Sequence, residues 1–162
     1  MKILGIAIWF SVAVAAALLI AGQLGLLKGS APKNLGVKNG LFRPPSLTPN
    51  SVSSQADLHV NHPQQAYSRI EPLRFTGDGT QAMDRLEALV RATDRTEVVT
   101  REPGYLYAQS TTALLKFTDD IEFGLDTSNS VIHVRSASRL GSKDFNVNRA
   151  RVEAIRAEFE KN

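Results

Sequence analysis

The chain of 162 residues contains no cysteine, and none of its 16 acidic residues occurs before position 50. The lack of cysteine excludes disulfides, thiolate nucleophiles and thiolate metal sites. Because five of the 19 basic residues precede position 50, residues 51–162 hold 14 basic against 16 acidic groups. The basic character of the chain therefore belongs to its N-terminal part. The sequence predicts no nucleic-acid partner, since such a partner favours a net-positive domain.

Charge is also absent from one long apolar run, which extends from residue 3 to residue 27. A helix crosses the hydrocarbon core of a bilayer with about 20 residues, so the run predicts a transmembrane anchor over residues 1–27. A cleaved signal peptide has a shorter apolar core of about 7–15 residues. The length favours an uncleaved anchor and leaves cleavage open as the alternative.

Residues 28–50 are rich in Gly, Pro, Ser and Asn and show no helix or strand periodicity, which predicts a basic linker. The linker serves either as a plain tether or as a tether held against anionic headgroups by its four basic residues. By the positive-inside rule these charges favour a cytoplasmic C-terminal part, but a long following domain translocates largely regardless of charge. The residues alone leave the orientation open.

The remaining residues, 51–162, carry the pattern of one α+β domain. Residues 78–93 place an apolar stripe on one helical face, beginning near Gly79 with Asp78 as N-cap. Short turns that favour antiparallel pairing join four strand-like segments, TEVVTRE, YLYAQSTTALLKF, DIEFGLD and VIHVRSAS. A last helix begins near Asn146 or Asn148, either of which suits the N-cap. The sequence therefore predicts an antiparallel sheet of about four strands with two helices packed on one face, preceded by a single N-terminal transmembrane helix.

The hairpin between the last two strands has one register that pairs its apolar residues. With the turn centred on residues 128–129, Phe123 faces Val134, and a slip of one residue would move the apolar set to the wrong face. The same register sets Glu122 opposite Arg135. We expect these two residues to form a structural ion pair.

A basic corner lies where the last strand leads to the last helix. Unpaired backbone N–H groups and the helix macrodipole favour an anion at a helix N-terminus, and a phosphate or a lipid headgroup would also offset the basic side chains. The predicted anion-binding residues are Arg139, Lys143, Arg149, Arg151 and Ser138. The alternative is that Asp144, Glu153 and the helix caps satisfy these groups within the chain.

No pattern in the sequence predicts an enzyme. The G-x-S-x-G elbow of serine hydrolases is absent. Asp119 and Asp120 are neighbours in a strand, so they point to opposite faces and cannot act as a dyad. The stretch DLHVNH at residues 57–62 offers too few ligands, at the wrong spacing, for a zinc site. We therefore predict no catalytic residue, no metal and no cofactor, and we expect His133 to serve packing or to lie at the surface.

Four stretches of the chain resemble the family catalogued as domain of unknown function 1499, over residues 49–160: PNSVSSQA, IEPLRF, TDDIEF and VRSASRLGSKDFNVNRARVEAIR. The resemblance implies no assigned biochemical role. It does imply a location, because bacterial members often look membrane-anchored or lipoprotein-like, with the domain outside the cytoplasm. One position departs from the family pattern, which has cysteine where this chain has Ser51. A role that needs a thiol or a lipidated cysteine there is not expected.

Together these observations predict an envelope protein with a single pass through the inner (cytoplasmic) membrane and a periplasmic domain. The first hypothesis for its function is a non-catalytic module that binds an anionic lipid, a glycan or a protein partner through the basic corner. The alternative is a structural or assembly factor that acts through protein contacts. A hydrolase comes third.

Overall fold

Most of the apolar N-terminal run forms helix α1 (Lys2–Gln23), and residues 24–27 form turns, in the structure, a computed structural model that describes residues 2–161. Its segment Ile3–Gln23 has a mean hydropathy of 2.6, and of these residues only Gly22, near the end of the helix, is buried. Within residues 2–161, α1 is the one helix that is long and apolar enough to cross a membrane. Its side chains therefore contribute nothing to the protein core.

Six strands form one antiparallel sheet: β1 (Ser51–Ser53), β2 (Leu73–Arg74), β3 (Thr96–Glu102), β4 (Tyr105–Thr111), β5 (Thr118–Asp126) and β6 (Val131–Ser138). Their order is β1-β6-β5-β4-β3, and β2 also pairs with β6. The α+β class and the antiparallel sheet agree with the prediction, but the number of strands is six instead of about four. The two additional strands contain three and two residues, which is too short to show an alternating pattern.

Two long helices, α3 (Gly79–Ala92) and α4 (Val147–Phe159), cover one face of the sheet, and a short helix α2 (Gln65–Ser68) precedes them. Helix α3 begins where the sequence predicts, because the Asp78 carboxylate accepts the Gln81 N–H at 2.9 Å. Apolar side chains of α3, α4 and β4–β6 form the core between helices and sheet. On this face Phe123 lies opposite Val134, which confirms the predicted register of the β5–β6 hairpin.

The other face of the sheet is polar, and residues 35–44 pack across it; we call this segment the cover. Phe42 is only 3% exposed there. A Cβ atom on Gly124 would lie 3.0 Å from Val37 Cγ2 and 3.3 Å from Phe42 Cζ, so a side chain at this position would force the cover to shift. Much of the segment predicted as a linker thus lies against the sheet. The division of the chain into anchor, linker and domain stays a prediction.

The two ends of the sheet have different neighbours. At the end that we call the anchor end, residues 112–117 join β4 to β5 and residues 139–146 join β6 to α4. The end of α1 lies beside them, and Gln23 Nε2 donates to the Leu114 carbonyl at 3.0 Å. At the opposite end, the hairpin end, lie the β3–β4 and β5–β6 turns. Since β5 has nine residues, the two ends are about 30 Å apart.

Candidate functional site

Arg139, a predicted anion ligand, extends over the polar face of the sheet and pairs with Asp120. Its Nε and Nη2 atoms lie 2.7 to 3.1 Å from the carboxylate oxygens, and Nη2 also donates to the Tyr107 hydroxyl at 3.1 Å. The side chains of Arg139 and Asp120 are 6% and 1% exposed. The hydrogen bond to Asp120 raises the pKa of Arg139. This guanidinium is therefore a charged member of a buried pair.

Arg151 lies on the helix-covered side of the sheet and pairs with Asp119. Its Nη2 donates to Asp119 Oδ2 at 2.7 Å, and its Nη1 donates to Asn148 Oδ1 at 3.1 Å. Asp119 and Asp120 thus point to opposite faces of β5, as predicted, and each binds a different arginine.

Arg149 binds backbone carbonyls instead of a carboxylate. Its Nη1 donates to the carbonyl of Arg69 at 2.8 Å and its Nη2 to the carbonyl of Tyr67 at 2.5 Å. The bonds tie the first turn of α4 to the segment around the end of α2. A guanidinium used in this way satisfies two carbonyls that no strand or helix pairs at this point.

Asp144 and Asn148 hold the start of α4. The Asp144 carboxylate accepts the backbone N–H groups of Asn146 and Asn148, at 3.1 Å each. Asn146 occupies the N-cap position, but its side chain makes no capping bond, so the capping acceptor is Asp144 and neither predicted asparagine. Burial alone would raise the pKa of Asp144, but hydrogen bonds from Tyr67 and Asn148 lower it overall. A carboxylate at this position also complements the helix macrodipole.

The five predicted anion-binding residues do not converge on one point. The three arginines bind three separate groups of the chain, and Ser138 accepts the Asn148 side-chain amide at 3.0 Å. Lys143 is exposed and has no ion pair within the described residues 2–161. The arginines are engaged inside the chain, as the alternative expected, but its choice of Asp144 and Glu153 as their partners is wrong. The carboxylates are Asp119 and Asp120, because β5 brings both beside the arginines. Anion binding at this corner stays a prediction.

Glu122 and Arg135 lie opposite each other, as the register predicts, and both are buried. Arg135 Nη1 is 3.9 Å from Glu122 Oε2, and the two side chains are 3% and 1% exposed. Glu122 has closer partners, since the Tyr105 hydroxyl donates to it at 3.0 Å and Arg43 Nε lies 3.7 Å away. Burial, and then the charge of Arg43, lowers the pKa of Arg135 to about 10. Two arginines thus flank one buried carboxylate, and the cover is hydrogen-bonded to the sheet where Gly36 N–H donates to Glu122 at 2.7 Å and Arg135 Nη2 donates to the Pro44 carbonyl at 3.2 Å.

A pocket of about 880 Å³ lies at the hairpin end, between the cover and the polar face. We call it the hairpin pocket, and its walls include Phe42, Tyr105, Gly124, His133, Glu102 and Asp126. Neither lysine nor arginine is among its lining residues within the described chain. Burial, and then the charge of Glu122, raises the pKa of Tyr105, so its hydroxyl stays a proton donor. The pocket therefore combines aromatic surface with acceptor and hydroxyl groups.

His133, in the pocket wall, lies between a serine and an aspartate. Ser54 Oγ is 3.1 Å from His133 Nδ1, and His133 Nε2 is 3.6 Å from Asp126 Oδ2. The residue types match the nucleophile, base and acid of a hydrolase. However, Ser54 Oγ also accepts the Val134 N–H at 2.9 Å, and the Gln55 N–H is bonded to a neighbouring serine hydroxyl. Both of these amides are therefore already bonded within the chain, whereas an oxyanion hole needs free donors.

The comparison with protein families identifies the matched region. A sequence model of the family described as protein of unknown function (DUF1499) matches residues 43–159. The chain belongs to this family. The match confirms the resemblance found in the sequence, and no curated protein matches the chain. The DUF1499 region contains the whole sheet and helices α2, α3 and α4, whereas residues 35–42 of the cover precede it.

Sequence reasoning missed the pocket of this DUF1499 protein because the cover lies in the segment predicted as a linker. One signal was present: Phe42 is the single aromatic residue within residues 28–50. A second was Gly124, which interrupts β5 where a side chain would be expected on a paired strand. A lone aromatic residue in a segment rich in Gly and Pro, together with a strand glycine, is consistent with close packing of that segment on the sheet.

Proposed function

We propose that the protein is a membrane-anchored, non-catalytic module that binds a glycan in the hairpin pocket. The observation that carries the proposal is the pocket of about 880 Å³ between cover and sheet. Its volume lies within the range of small-molecule sites, about 300–1,000 Å³. It opens at the end of the sheet away from α1, where a ligand can enter without meeting the anchor.

The chemistry of the pocket suits an uncharged polar ligand with many hydroxyl groups. Sugar hydroxyls donate to carboxylates such as those of Glu102 and Asp126, and the C–H faces of a sugar ring pack on aromatic rings such as Tyr105. Anionic ligands are disfavoured, since the pocket walls are acidic and carry no guanidinium or ammonium group among the described lining residues. Of an anionic lipid, a glycan and a protein partner, the pocket therefore favours the glycan.

The non-catalytic part of the proposal is supported by the hydrogen bonds of Ser54. Its hydroxyl already accepts a backbone N–H, and the following N–H is also engaged. A serine nucleophile needs donors that are free for the developing oxyanion. The arrangement with His133 is better suited to hold an imidazole as a donor or acceptor for a bound hydroxyl group.

The location is part of the same proposal. Helix α1 has the length and apolarity of a single membrane span, and we place the following domain outside the cytoplasm, in the periplasm, with α1 in the inner membrane. Substituted-cysteine labelling tests the side directly, because the chain has no cysteine of its own. A Val60→Cys variant in intact cells should react with a membrane-impermeant maleimide once the outer membrane is permeabilised. Reaction only after lysis would contradict the periplasmic location.

The binding proposal is tested by fluorine NMR with 3-fluorotyrosine in the full chain. The sequence has three tyrosines, of which Tyr105 and Tyr107 line the pocket and Tyr67 lies beside α4. We expect chitotriose, cellotriose or maltotriose to shift the two pocket signals in a saturable way. The Tyr67 signal should not move, and it serves as the control within each spectrum.

Two variants make the binding test specific. Tyr105→Ala removes the aromatic wall and should abolish the saturable shift of the Tyr107 signal. Val99→Ala, on the exposed edge of β3 and outside the pocket lining, should leave binding unchanged. The proposal fails if none of the three sugars moves a pocket signal at millimolar concentration, or if binding survives Tyr105→Ala.

A further inference from the structure

Four large apolar side chains are exposed at the anchor end of the sheet: Leu114, Leu140, Phe145 and Val147. Leu114 is 68% and Phe145 is 87% exposed. They come from two separate connections, residues 112–117 and 139–146, and from the first residue of α4. Single exposed apolar residues are common on protein surfaces. A group of them at one end of a sheet instead indicates a surface that contacts a membrane or another protein.

The end of α1 packs on residues 112–117, and Gly29, shortly after the helix, packs on residues 139–146. Gln23 Nε2 donates to the Leu114 carbonyl at 3.0 Å. A Cβ on Gly22 would lie 2.7 Å from the Leu115 carbonyl oxygen, and a Cβ on Gly29 would lie 2.9 Å from Arg139 Cβ. Only glycines allow such close contact at these positions. These contacts hold the end of α1 at a fixed position relative to the anchor end of the sheet.

This contact determines the depth of Leu114 relative to a bilayer. Helix α1 ends at Gln23, which donates to Leu114, and the uncharged run continues only to residue 27, so Gln23 lies close to one boundary of the hydrocarbon core. A residue bonded to Gln23 then lies at the level of the headgroups. Lys28, Lys116 and Lys143 occupy the adjacent segments, where an ammonium group meets anionic headgroups favourably.

We infer that the anchor end is a membrane-contact surface whose apolar side chains enter the bilayer interface next to α1. The inference rests on the proposed role of α1 as an anchor. Its partner is a lipid surface, because the exposed apolar side chains lie beside the end of the apolar helix. The three lysines of the adjacent segments favour anionic headgroups on that surface. A second copy of the chain suits this surface less well, because α1 lies on the same side and restricts its approach.

The absence of cysteine allows a direct test with single spin labels in the full chain. The four variants are Val14→Cys in α1, Leu114→Cys and Phe145→Cys at the anchor end, and Val60→Cys as the control. All four positions are exposed, so labelling does not disturb the core. The protein is reconstituted in vesicles of phosphatidylethanolamine and phosphatidylglycerol. Collision rates of each label with oxygen and with a water-soluble nickel chelate are measured, since oxygen concentrates in lipid and the chelate in water.

We expect the labels at positions 114 and 145 to favour oxygen over nickel several-fold more than the label at position 60. Water-like collision rates at 114 and 145, with a lipid-like rate at 14, would overturn the contact surface and leave the anchor intact. A water-like rate at 14 would overturn the anchor and this inference together. Protection of positions 114 and 145 from both reagents would indicate a protein contact, which also overturns the inference.

Discussion

The substitution Arg139→Met separates a structural role of the basic corner from a ligand-binding role. In the structure this guanidinium makes three contacts of 2.7 to 3.1 Å with the Asp120 carboxylate, and both side chains are almost fully buried. Methionine keeps much of the apolar stem but leaves Asp120 with the Tyr107 hydroxyl, at 2.6 Å, as its remaining side-chain donor. A buried carboxylate that loses its cation is expected to cost about 3–5 kcal/mol of stability.

That loss is large compared with the stability of a domain of this size, about 5–15 kcal/mol. With an m-value of about 1.5 kcal/mol/M, it lowers the urea midpoint by about 2–3 M. The transition is followed in the detergent-solubilised full chain by near-UV circular dichroism of the tyrosines. Tryptophan is unsuitable, because the single tryptophan, Trp9, lies in α1.

A double-mutant cycle decides the result. Asp120→Asn removes the buried charge, so Arg139→Met should cost less in that background, with a coupling energy of about 1–3 kcal/mol. The matched control is Arg91→Met, because Arg91 is 56% exposed and its partner Glu87, one helical turn away, keeps a second ion pair with Arg101. It should cost less than about 1 kcal/mol. If Arg139→Met costs as little as the control and also abolishes retention on anionic vesicles, the structural assignment is refuted and the predicted anion site gains support.

Three further predictions concern the cover and the start of α4. Gly124→Val should push the cover from the sheet, since a Cβ there already meets it at 3.0 Å, and amides of residues 36–42 should then exchange faster with deuterated water. Asn148→Ala should lower the free energy of unfolding by about 1–3 kcal/mol in urea titrations, because it leaves buried partners without a hydrogen bond. The pKa of Asp144 is lowered in the folded state, so its carboxylate contributes stability above the unfolded pKa of about 3.9 that is lost as the pH falls through the folded value. Tyr67→Phe removes one cause of that lowering and should reduce the loss of urea stability between pH 5 and pH 3.

Controls for these three come from open positions of the same chain. Gly5→Val, where no atom lies within 4 Å, should leave exchange in the cover unchanged. Gln81→Ala, at an exposed position of α3, should change the free energy of unfolding by less than about 0.5 kcal/mol. Unchanged exchange in Gly124→Val, an unchanged midpoint in Asn148→Ala, or an acid profile of Tyr67→Phe equal to that of the parent would each contradict the corresponding contact.

The β5–β6 hairpin shows how far the sequence determines the fold. Its apolar alternation tolerates one register, so the pairing of Phe123 with Val134 and of Glu122 with Arg135 was predictable. The opposite orientation of Asp119 and Asp120 follows from the period of two in a strand. Their arginine partners were harder to predict. Arg139 reaches Asp120 diagonally, two positions beyond the residue directly opposite, and Arg151 reaches Asp119 from a helix far along the chain.

The parts of the fold that escaped prediction depend on contacts between distant segments. β1 and β2 are strands only because β6 offers an edge to pair with, and their two or three residues carry no periodicity of their own. The cover is ordered by Gly124 and Glu122, about 80 residues away in sequence, so its local composition indicates a linker. The hairpin pocket exists only once the cover is in place, and no pattern within a single segment predicts it.

The arginines of the stretch VRSASRLGSKDFNVNRARVEAIR therefore argue for different roles of the two ends of the sheet. Arg139, Arg149 and Arg151 join β5, β6, α2 and α4 at the anchor end, where two connections also meet the end of α1. Charges held inside such a network are poorly available to a diffusing ligand, because releasing one of them leaves a buried carboxylate or carbonyl unsatisfied. Binding to a ligand is less costly at the hairpin end, about 30 Å away along β5, where the pocket walls carry hydroxyl, carboxylate and aromatic groups beside open space. The proposed membrane contact at the anchor end and the proposed glycan site in the distal pocket together describe a module that presents a binding site at a fixed height above a bilayer.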